Sequence, residues 1–150
     1  MSNESTLVLI KPDGVNRGLI GKVIDRLEST GLKIVGMKLI LIDKDLASNH
    51  YEEHKDKPFF SSLVDFITAS PVVALALNGE NAIQKTRTMM GITNPLESAP
   101  GTIRGDFGLT VEKNIIHGSA NEKDSKREID LYFSNNELID YSRSIDEWTE

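Results

Sequence analysis

Three groups of polar residues lie outside the periodic apolar faces of the sequence. They are Lys11, the set of Arg87, Thr93 and Arg104, and the segment 114–119, which contains His117. Lysine and arginine side chains suit phosphate groups, because they combine positive charge with several N–H donors. The imidazole of His117 is the best candidate nucleophile, since a neutral imidazole offers a lone pair near neutral pH. These residue types predict nucleophilic catalysis on a phosphate-bearing substrate.

Glu128 is the predicted partner of His117. It lies about three helical turns beyond Ser119, so its carboxylate is expected to fold back towards the imidazole ring. A carboxylate there would keep one ring nitrogen protonated and leave the lone pair of the other exposed. The same residue types also fit an ordinary turn histidine and surface charges, such as Arg104 beside Asp106. Residue type alone leaves both interpretations open.

Several other classes of active site are excluded by what the sequence lacks. It contains no Cys, which rules out disulfides, thiolate zinc sites and thiol catalysis. It has no G-x-S-x-G, no H-E-x-x-H and neither of the glycine-rich phosphate loops. Any phosphate would therefore be held by side chains.

The composition sets the class of protein. Seventeen Lys and Arg against 23 Asp and Glu give a formal net charge of −6, which disfavours nucleic acid and anionic membranes as partners. The 39% of apolar residues suffice for a core, and the length fits one domain, 1–150, with a short polar C-terminal tail.

The start has no basic, apolar leader, and no apolar run could span a membrane. With the absence of Cys, these features predict a cytoplasmic location.

The elements that must position these residues follow from the apolar patterns. Strands are predicted at 6–10, 32–42 with a bulge near Gly36, 71–77 and 109–116, and helices at 19–27, 43–51, 58–68 and 81–90. Ser119 and Glu122 form a capping-box pattern before a last helix. Segment 91–108 is expected to be a long functional or interfacial loop. The order predicts an α+β, ferredoxin-like βαββαβ fold, in which helices cover a four-stranded antiparallel sheet.

Five ordered blocks carry a resemblance to a known family. They read K-P-D-G-V-N-R-G at 11–18, H-Y-E-E-H-K-D-K-P-F-F at 50–60, T-N-P at 93–95, P-G-T-I-R-G-D at 100–106 and N-I-I-H-G-S at 114–119. They resemble the signature blocks of the nucleoside diphosphate kinases. The match runs from about Thr6 to Phe133 and is far more specific than any single block.

The resemblance implies an activity and catalytic roles. The family moves the terminal phosphate of a nucleoside triphosphate, usually ATP, to a nucleoside diphosphate by a ping-pong route. By resemblance, a phosphohistidine forms at His117. The groups that resemble the family's catalytic residues are His117, Lys11, Tyr51, Glu128 and Ser119, with Glu128 and Ser119 orienting the histidine.

The same resemblance implies a nucleotide site. Phosphate contacts are expected from Lys11, Arg87, Thr93, Arg104 and His54. Phe59 resembles the ring that stacks on the base, Val111 the apolar residue on its other face, and Asn114, with Lys11, the pair that bonds the ribose hydroxyls. Stacking does not read base edges, so little base selectivity is expected. The resemblance implies Mg²⁺ carried on the nucleotide phosphates instead of in a protein metal site.

The resemblance also implies an oligomeric assembly, and the sequence differs from the family pattern at two places. Family members are homo-oligomers, and the segment 95–105 resembles the one that packs at the threefold axis of hexamers, so a hexamer is expected. The family's His-Gly-Ser-Asp motif ends here in Ala120, which is expected to alter local hydrogen bonding without abolishing the chemistry. The C-terminal I-D-E-W-T-E also differs from the family's common Tyr-Glu ending.

Three rival functions give different expectations. An RNA-recognition module needs aromatic residues on its central strands and a basic face, which this sequence lacks. A non-catalytic scaffold of the same family would be expected to have lost His117 or a phosphate ligand. A phosphocarrier would transfer phosphate from His117 to a protein and would not need Phe59 or Asn114.

Overall fold

The computed structural model describes residues 3–149, which form a sheet with helices on both faces. The elements in chain order are β1 Asn3–Ile10, α1 Pro12–Asn16, α2 Ile20–Glu28, β2 Lys33–Ile40, α3 Lys44–His50, α4 Phe60–Thr68, β3 Val72–Glu80, α5 Ala82–Met90, α6 Ile103–Phe107, β4 Ile116–Gly118 and α7 Glu122–Tyr132. Short 3-10 helices lie at Glu52–His54, Pro95–Glu97, Asn135–Glu137 and Asp146–Trp148.

The four strands form one antiparallel sheet in the order β2-β3-β1-β4. The pairing of β2 with β3 shifts between Ile34 and Gly36, so the irregularity predicted near Gly36 is present. The predicted α+β fold with a four-stranded antiparallel sheet is confirmed.

Helices cover both faces of the sheet, which explains why the central strands read as continuous apolar runs. On one face Val8 and Ile10 pack with α2, α5 and Ile103. On the other face Leu7 and Leu9 pack with α4 and α7. Each residue of β1 from Leu7 to Ile10 is therefore fully buried.

The register of β4 decides which face carries His117. His117 lies opposite Leu9 in the antiparallel pair, and directly opposed residues point to the same face. Leu9 belongs to the core beneath α3, α4 and α7, so the imidazole lies on that side of the sheet. The flanking Ile116 is buried in the opposite core.

The predicted strand at 109–116 is wrong. Residues 109–113 are exposed and irregular, and β4 comprises only Ile116–Gly118. Val111 and its neighbours have strand propensity, but β1 pairs with β4 only at Val8, Leu9 and Ile10. His117 consequently sits within the strand and not in the turn that follows it.

The predicted capping box at Ser119 is also wrong. The N-cap of α7 is Asn121, whose side chain accepts a hydrogen bond from the backbone N–H of Asp124 at 2.8 Å. The Ser119 hydroxyl is buried and donates to Glu128 instead. Ser119 and Glu122 have the residue types and spacing of a capping box, but the N-cap residue is Asn121, two positions after Ser119.

Three loop assignments from the sequence also differ in detail. The turn at 11–14 continues into the short helix α1, which begins at Pro12. The segment 91–108 contains a 3-10 helix and α6. The polar tail packs along β2, where the Ile139 N–H donates to the Val35 carbonyl at 2.8 Å.

No helix within residues 3–149 is long and apolar enough to cross a membrane.

Candidate active site

His117 and Glu128 form a close pair between β4 and α7. The distance from His117 Nε2 to Glu128 Oε1 is 2.9 Å, and the Ser119 hydroxyl donates to the same Oε1 at 2.8 Å. An ionised carboxylate only accepts hydrogen bonds, so the proton lies on Nε2 of His117. The Nδ1 lone pair is then the one available for attack.

The electrostatics of Glu128 keep it ionised. Its burial alone would raise the pKa of the carboxyl. Hydrogen bonds from His117 and Ser119 and positive charge on His117 oppose that penalty, so the pKa of Glu128 lies below its usual range. The carboxylate is therefore charged at neutral pH and stabilises positive charge on His117.

His50, at the end of α3, packs beside the reactive ring. Its ring centroid lies 4.7 Å from that of His117 at an interplanar angle of 72°, and Tyr132 Oη lies 3.1 Å from His50 Nδ1. Burial, followed by the charge of His117, lowers the pKa of His50 to about 3. His50 thus stays neutral and adds no positive charge next to His117.

Tyr51, His54 and Phe59 extend the site away from His50. The Tyr51 ring lies 4.7 Å from the His50 ring, and burial, then the Glu128 carboxylate, raises the pKa of Tyr51 to about 12. Its phenol therefore remains a proton donor at neutral pH. The His54 and Phe59 rings are 5.5 Å apart, and Phe59 is 47% exposed.

Lys11 and Asn114 are joined directly by a hydrogen bond. Lys11 Nζ donates to Asn114 Oδ1 at 2.6 Å, while Asn114 Nδ2 donates to the Thr93 carbonyl at 3.0 Å. Burial is the main cause that lowers the pKa of Lys11 to about 8; Asp13 opposes this shift and Arg104 adds to it. Lys11 is consequently a poorly solvated cation, which favours an anionic ligand.

Arg104 is anchored by backbone carbonyls beside this pair. Its guanidinium donates to the carbonyl oxygens of Asn114 at 3.3 Å, Gly91 at 3.2 Å and Ile116 at 2.7 Å. Burial, followed by Arg87, lowers its pKa to about 10, so it remains charged. A guanidinium has five N–H bonds, which leaves two for a ligand.

Arg87, on α5, contacts the carboxyl end of β4. Its Nη1 donates to the Gly118 carbonyl at 3.1 Å, so it is tied to β4 immediately after His117. Arg104 binds the carbonyl immediately before His117. The two guanidinium groups therefore flank the backbone of the candidate nucleophile.

The backbone turns sharply between Asn114 and β4. Ile115 has a φ of 76°, and the Ile116 N–H donates to the Asn114 carbonyl at 2.8 Å. This is a γ-turn, an uncommon and strained conformation for a β-branched residue. Such strain costs on the order of 1–3 kcal/mol and persists only where surrounding contacts enforce it.

The sequence matches a known protein family over most of its length. The family model described as "Nucleoside diphosphate kinase" matches residues 4–138.

The chain belongs to the nucleoside diphosphate kinase family.

Relatives and solved structures of the family are similar over nearly the whole chain. The nucleoside diphosphate kinase of Archaeoglobus fulgidus is 54% identical over 145 residues, with 97% of this chain and 96% of the relative covered. The enzyme of Halobacterium salinarum, solved in complex with CDP, has a TM-score of 0.96, 49% identity and 99% coverage of both chains.

A third similar structure is the nucleoside-diphosphate kinase of Borrelia burgdorferi with bound vanadate and ADP, described as a transition state mimic. It has a TM-score of 0.92 and 39% identity, covering 98% of this chain and 96% of that one. The predicted family, fold class and phosphotransferase activity of the chain are therefore confirmed.

The structure brings most of the predicted site residues together. His117, Glu128 and Ser119 form one hydrogen-bonded group; Lys11 and Asn114 form a second, which is linked to Thr93; Arg87 and Arg104 hold the β4 backbone. Val111 lies in the exposed segment 109–113 and is itself 50% exposed.

Sequence reasoning missed several residues that shape the candidate site. They are His50, Tyr132, Asp13 and Ile115. A signal for Tyr132 was present, because Ser125, Glu128 and Tyr132 repeat at helical spacing on the buried face of α7. No pattern in the sequence indicates the positive φ of Ile115.

Among residues 3–149, one group of side chains lies close enough together to hold a metal ion: His50, His117 and Glu128. Two imidazoles suit transition metals, whereas Mg²⁺ prefers oxygen ligands and is often bound through substrate phosphates. Glu128 is also occupied by His117 and Ser119. This donor set therefore does not match the oxygen ligands that Mg²⁺ prefers.

Proposed function

We propose that the chain transfers the γ-phosphate of a nucleoside triphosphate to a nucleoside diphosphate through a phosphohistidine on His117. The observation that carries this proposal is the 2.9 Å contact between His117 Nε2 and the Glu128 carboxylate. It supports attack by Nδ1, because the carboxylate holds the proton on the other nitrogen and stabilises the cation that forms.

The first half-reaction phosphorylates the enzyme. The Nδ1 lone pair of His117 forms a bond to the γ-phosphorus while the bond to the β–γ bridging oxygen breaks. That electron pair leaves with the nucleoside diphosphate. Ser119 and Glu128 keep the ring oriented throughout, which is supported by their 2.8 Å hydrogen bond.

The second half-reaction is the reverse with a different nucleotide. A terminal oxygen of the acceptor diphosphate attacks the phosphorus, the P–N bond breaks and the electron pair returns to Nδ1. Because donor and acceptor occupy one site in turn, the same side chains serve both directions.

The phosphates are held by cations preplaced around β4. Arg104 and Arg87 are fixed to the carbonyls on either side of His117, and Lys11 is held by Asn114. Positive charge fixed in advance stabilises the charge that develops on the transferred group. Tyr51, His54 and Thr93 provide further donors to the phosphate chain in this proposal.

The nucleoside is bound at the exposed rim. Phe59 stacks on the base, Val111 covers its other face, and Asn114 and Lys11 bond the ribose hydroxyls. The exposure of Phe59 and Val111, with apolar surface free for contact, supports this assignment. Stacking accepts any base, so the acceptor range is broad.

Mg²⁺ is the proposed cofactor, and it would be carried into the site on the nucleotide phosphates. It would supply neutralisation of charge on the leaving diphosphate. Lys11, Arg87 and Arg104 act on the remaining phosphate oxygens.

A label-and-chase experiment tests the proposal. The purified chain is mixed with γ-labelled ATP and Mg²⁺ without acceptor, then with GDP or a deoxynucleoside diphosphate. We expect an acid-labile, alkali-stable label on the protein that moves to each diphosphate. Label that stays on the chain and moves to no diphosphate would favour a phosphocarrier, and absence of any label would favour a scaffold.

We also propose a cytoplasmic homohexamer of one-domain chains, with nucleoside di- and triphosphates as ligands. Exposed apolar side chains support subunit contacts at two places: Met37, Leu39 and Leu41 along the edge strand β2 and after it, and Ile92, Leu96 and Leu109 around the long loop. Light scattering should give the mass of six 16.6 kDa chains; a monomer at all micromolar concentrations would contradict this.

A further inference from the structure

The γ-turn at Ile115 is bonded on both sides by the segment that follows β1. The Ile115 carbonyl accepts from the Lys11 N–H at 2.7 Å, and the Ile115 N–H donates to Oδ2 of Asp13 at 3.0 Å. Both backbone polar groups of the strained residue are therefore satisfied by a segment about a hundred positions earlier in the chain. These bonds are the contacts that enforce the unusual backbone conformation.

Packing reinforces the same contact. A Cβ atom placed on Gly14 would lie 3.1 Å from Ile115 Cγ2 and 3.2 Å from the Ile115 carbonyl oxygen. The backbone of α1 can therefore approach Ile115 only because residue 14 has no side chain. The hydrogen bond from Ile115 to Asp13 lies at this close approach.

The carboxylate of Asp13 has a role beyond that of an acidic residue in the first turn of a helix. α1 has only five residues, and its N-cap position, Lys11, makes no side-chain cap. One oxygen of Asp13 is directed to Ile115, and the other, Oδ1, is buried without a hydrogen-bond partner among the described residues. Keeping a carboxylate in such a place is costly unless it serves the contact it makes.

The γ-turn lies between two parts of the active site. Asn114, immediately before Ile115, holds Lys11 Nζ and the Thr93 carbonyl. β4 begins at Ile116 and carries His117. The conformation of Ile115 consequently sets the position of the ribose- and phosphate-binding pair relative to the nucleophile.

We propose that Asp13 is a positioning residue, which holds Ile115 in the γ-turn and so fixes Lys11 and Asn114 relative to His117. This inference rests on the proposed function. Asp13 touches neither the substrate nor the transferred phosphate; it acts through the backbone of Ile115.

Two substitutions separate its acceptor oxygen from its charge. Asp13→Ala removes both, whereas Asp13→Asn keeps an acceptor oxygen for the Ile115 N–H. Asp45→Ala is the matched control, because Asp45 is exposed and occupies the same second position in α3. The readouts are the single-turnover rate of labelling by γ-labelled ATP, the hydrogen exchange of the Ile115 amide, and the melting temperature.

The expected pattern distinguishes positioning from general destabilisation. Displacement of a catalytic pair by about 1 Å can cost about 100-fold in rate. Asp13→Ala should therefore slow labelling by about 10- to 100-fold per folded molecule and speed exchange of the Ile115 amide. The labelling rate of Asp13→Asn should be at least about ten times that of Asp13→Ala, because the hydrogen bond to Ile115 remains. Asp45→Ala should change neither rate nor exchange.

The charge of Asp13 has a second, separable effect. The charged groups that face Lys11 are Asp13 on α1 and Arg104 on α6, and the Phe66 ring of α4 lies 5.6 Å from Nζ. Asp13 favours the cationic form of Lys11, so Asp13→Asn should move the alkaline limb of the activity profile to lower pH. A purely structural role would leave that limb in place.

Several outcomes would overturn the inference. Asp13→Ala that matches Asp45→Ala, or that lowers only the melting temperature, would show that Asp13 positions nothing. Equal losses in Asp13→Asn and Asp13→Ala would assign the effect to charge and not to the hydrogen bond. If Asp13→Ala does not fold, Asp13→Asn decides: unchanged exchange of the Ile115 amide with a labelling rate within about tenfold of wild type supports the proposal, and unchanged exchange with a larger loss of rate contradicts it. If the wild-type chain takes no label, the proposed function fails, and amide exchange still tests the contact.

Discussion

His117 Nε2 and Glu128 Oε1 lie 2.9 Å apart, although one residue belongs to the edge strand β4 and the other to the buried face of α7. The register of β4 points the imidazole towards α7, and the helical spacing of α7 turns Glu128 inwards. A strand and a helix thus fix the orientation of the ring.

Replacement of Glu128 by Gln should slow phosphorylation of the enzyme. The variant keeps the shape of the side chain and one acceptor oxygen, but it removes the charge that stabilises an imidazolium. Its amide N–H can also donate to Nε2, so the side chain no longer selects the Nε2–H tautomer. The single-turnover rate of labelling should fall on the order of 100-fold. Asp130→Asn, an exposed change on the same helix, is the control, and an equal rate in wild type and Glu128→Gln would remove Glu128 from the mechanism.

Nucleotide affinity should weaken as the pH rises above about 8. Burial lowers the pKa of Lys11 to about 8, so the free protein loses this cation above that pH. A bound phosphate favours the protonated form, and binding must then take up a proton. Kd should therefore rise by up to about tenfold per pH unit. Titration at several pH values measures this, and Lys11→Arg should give a flatter profile; equal slopes would contradict the assignment.

Alanine should have opposite effects at two glycines. At Gly14 a Cβ atom would lie 2.8 Å from Ile10 Cγ2, so Gly14→Ala should destabilise the fold by about 1–3 kcal/mol through overpacking. At Gly21, in α2, a Cβ atom would meet nothing within 4 Å. Gly21→Ala should therefore stabilise by about 0.5–1 kcal/mol. Denaturant titration measures both, and a destabilised Gly21→Ala would contradict the prediction.

Ala120 stands where the family motif has Asp, and this difference should lower the stability of the fold slightly. Ala120 is exposed and precedes Asn121, the N-cap of α7. A carboxylate there would interact favourably with the helix dipole, so Ala120→Asp should stabilise by about 0.3–1 kcal/mol at low salt. Ala120→Asn, which adds no charge, is the control. The melting temperature should rise only for Ala120→Asp, and a rise that persists in high salt would argue against the dipole.

The sequence predicts those parts of the fold that depend on local patterns. The apolar runs of β1 and β3 and the helical spacing of α2 and α5 are sufficient to place these elements. In each of them the pattern of apolar residues along the chain shows which side chains are buried. β4 was misplaced because its short length is set by pairing with β1, which is a tertiary property. The N-cap at Asn121 was missed because two suitable residues lie close together in the sequence.

The candidate site was predictable from residue types and ordered blocks, but its internal support was not. His50 and Tyr132 reach the site because α3 and α7 pack on one face of the sheet, and their contact spans 82 positions in the chain. Asp13 reaches Ile115 over 102 positions. Such contacts leave no periodic trace, so only the folded structure reveals them.

The central claim is that the transferable phosphate resides on His117, and peptide mapping tests it most directly. The chain has three histidines. Trypsin cleavage after lysine would release His117 in the peptide 114–123 and both His50 and His54 in the peptide 45–55. After incubation with labelled ATP and Mg²⁺, followed by digestion at alkaline pH, we expect label in 114–123, with the phosphate on Nδ1. Label confined to 45–55, or label that survives His117→Gln, would contradict it.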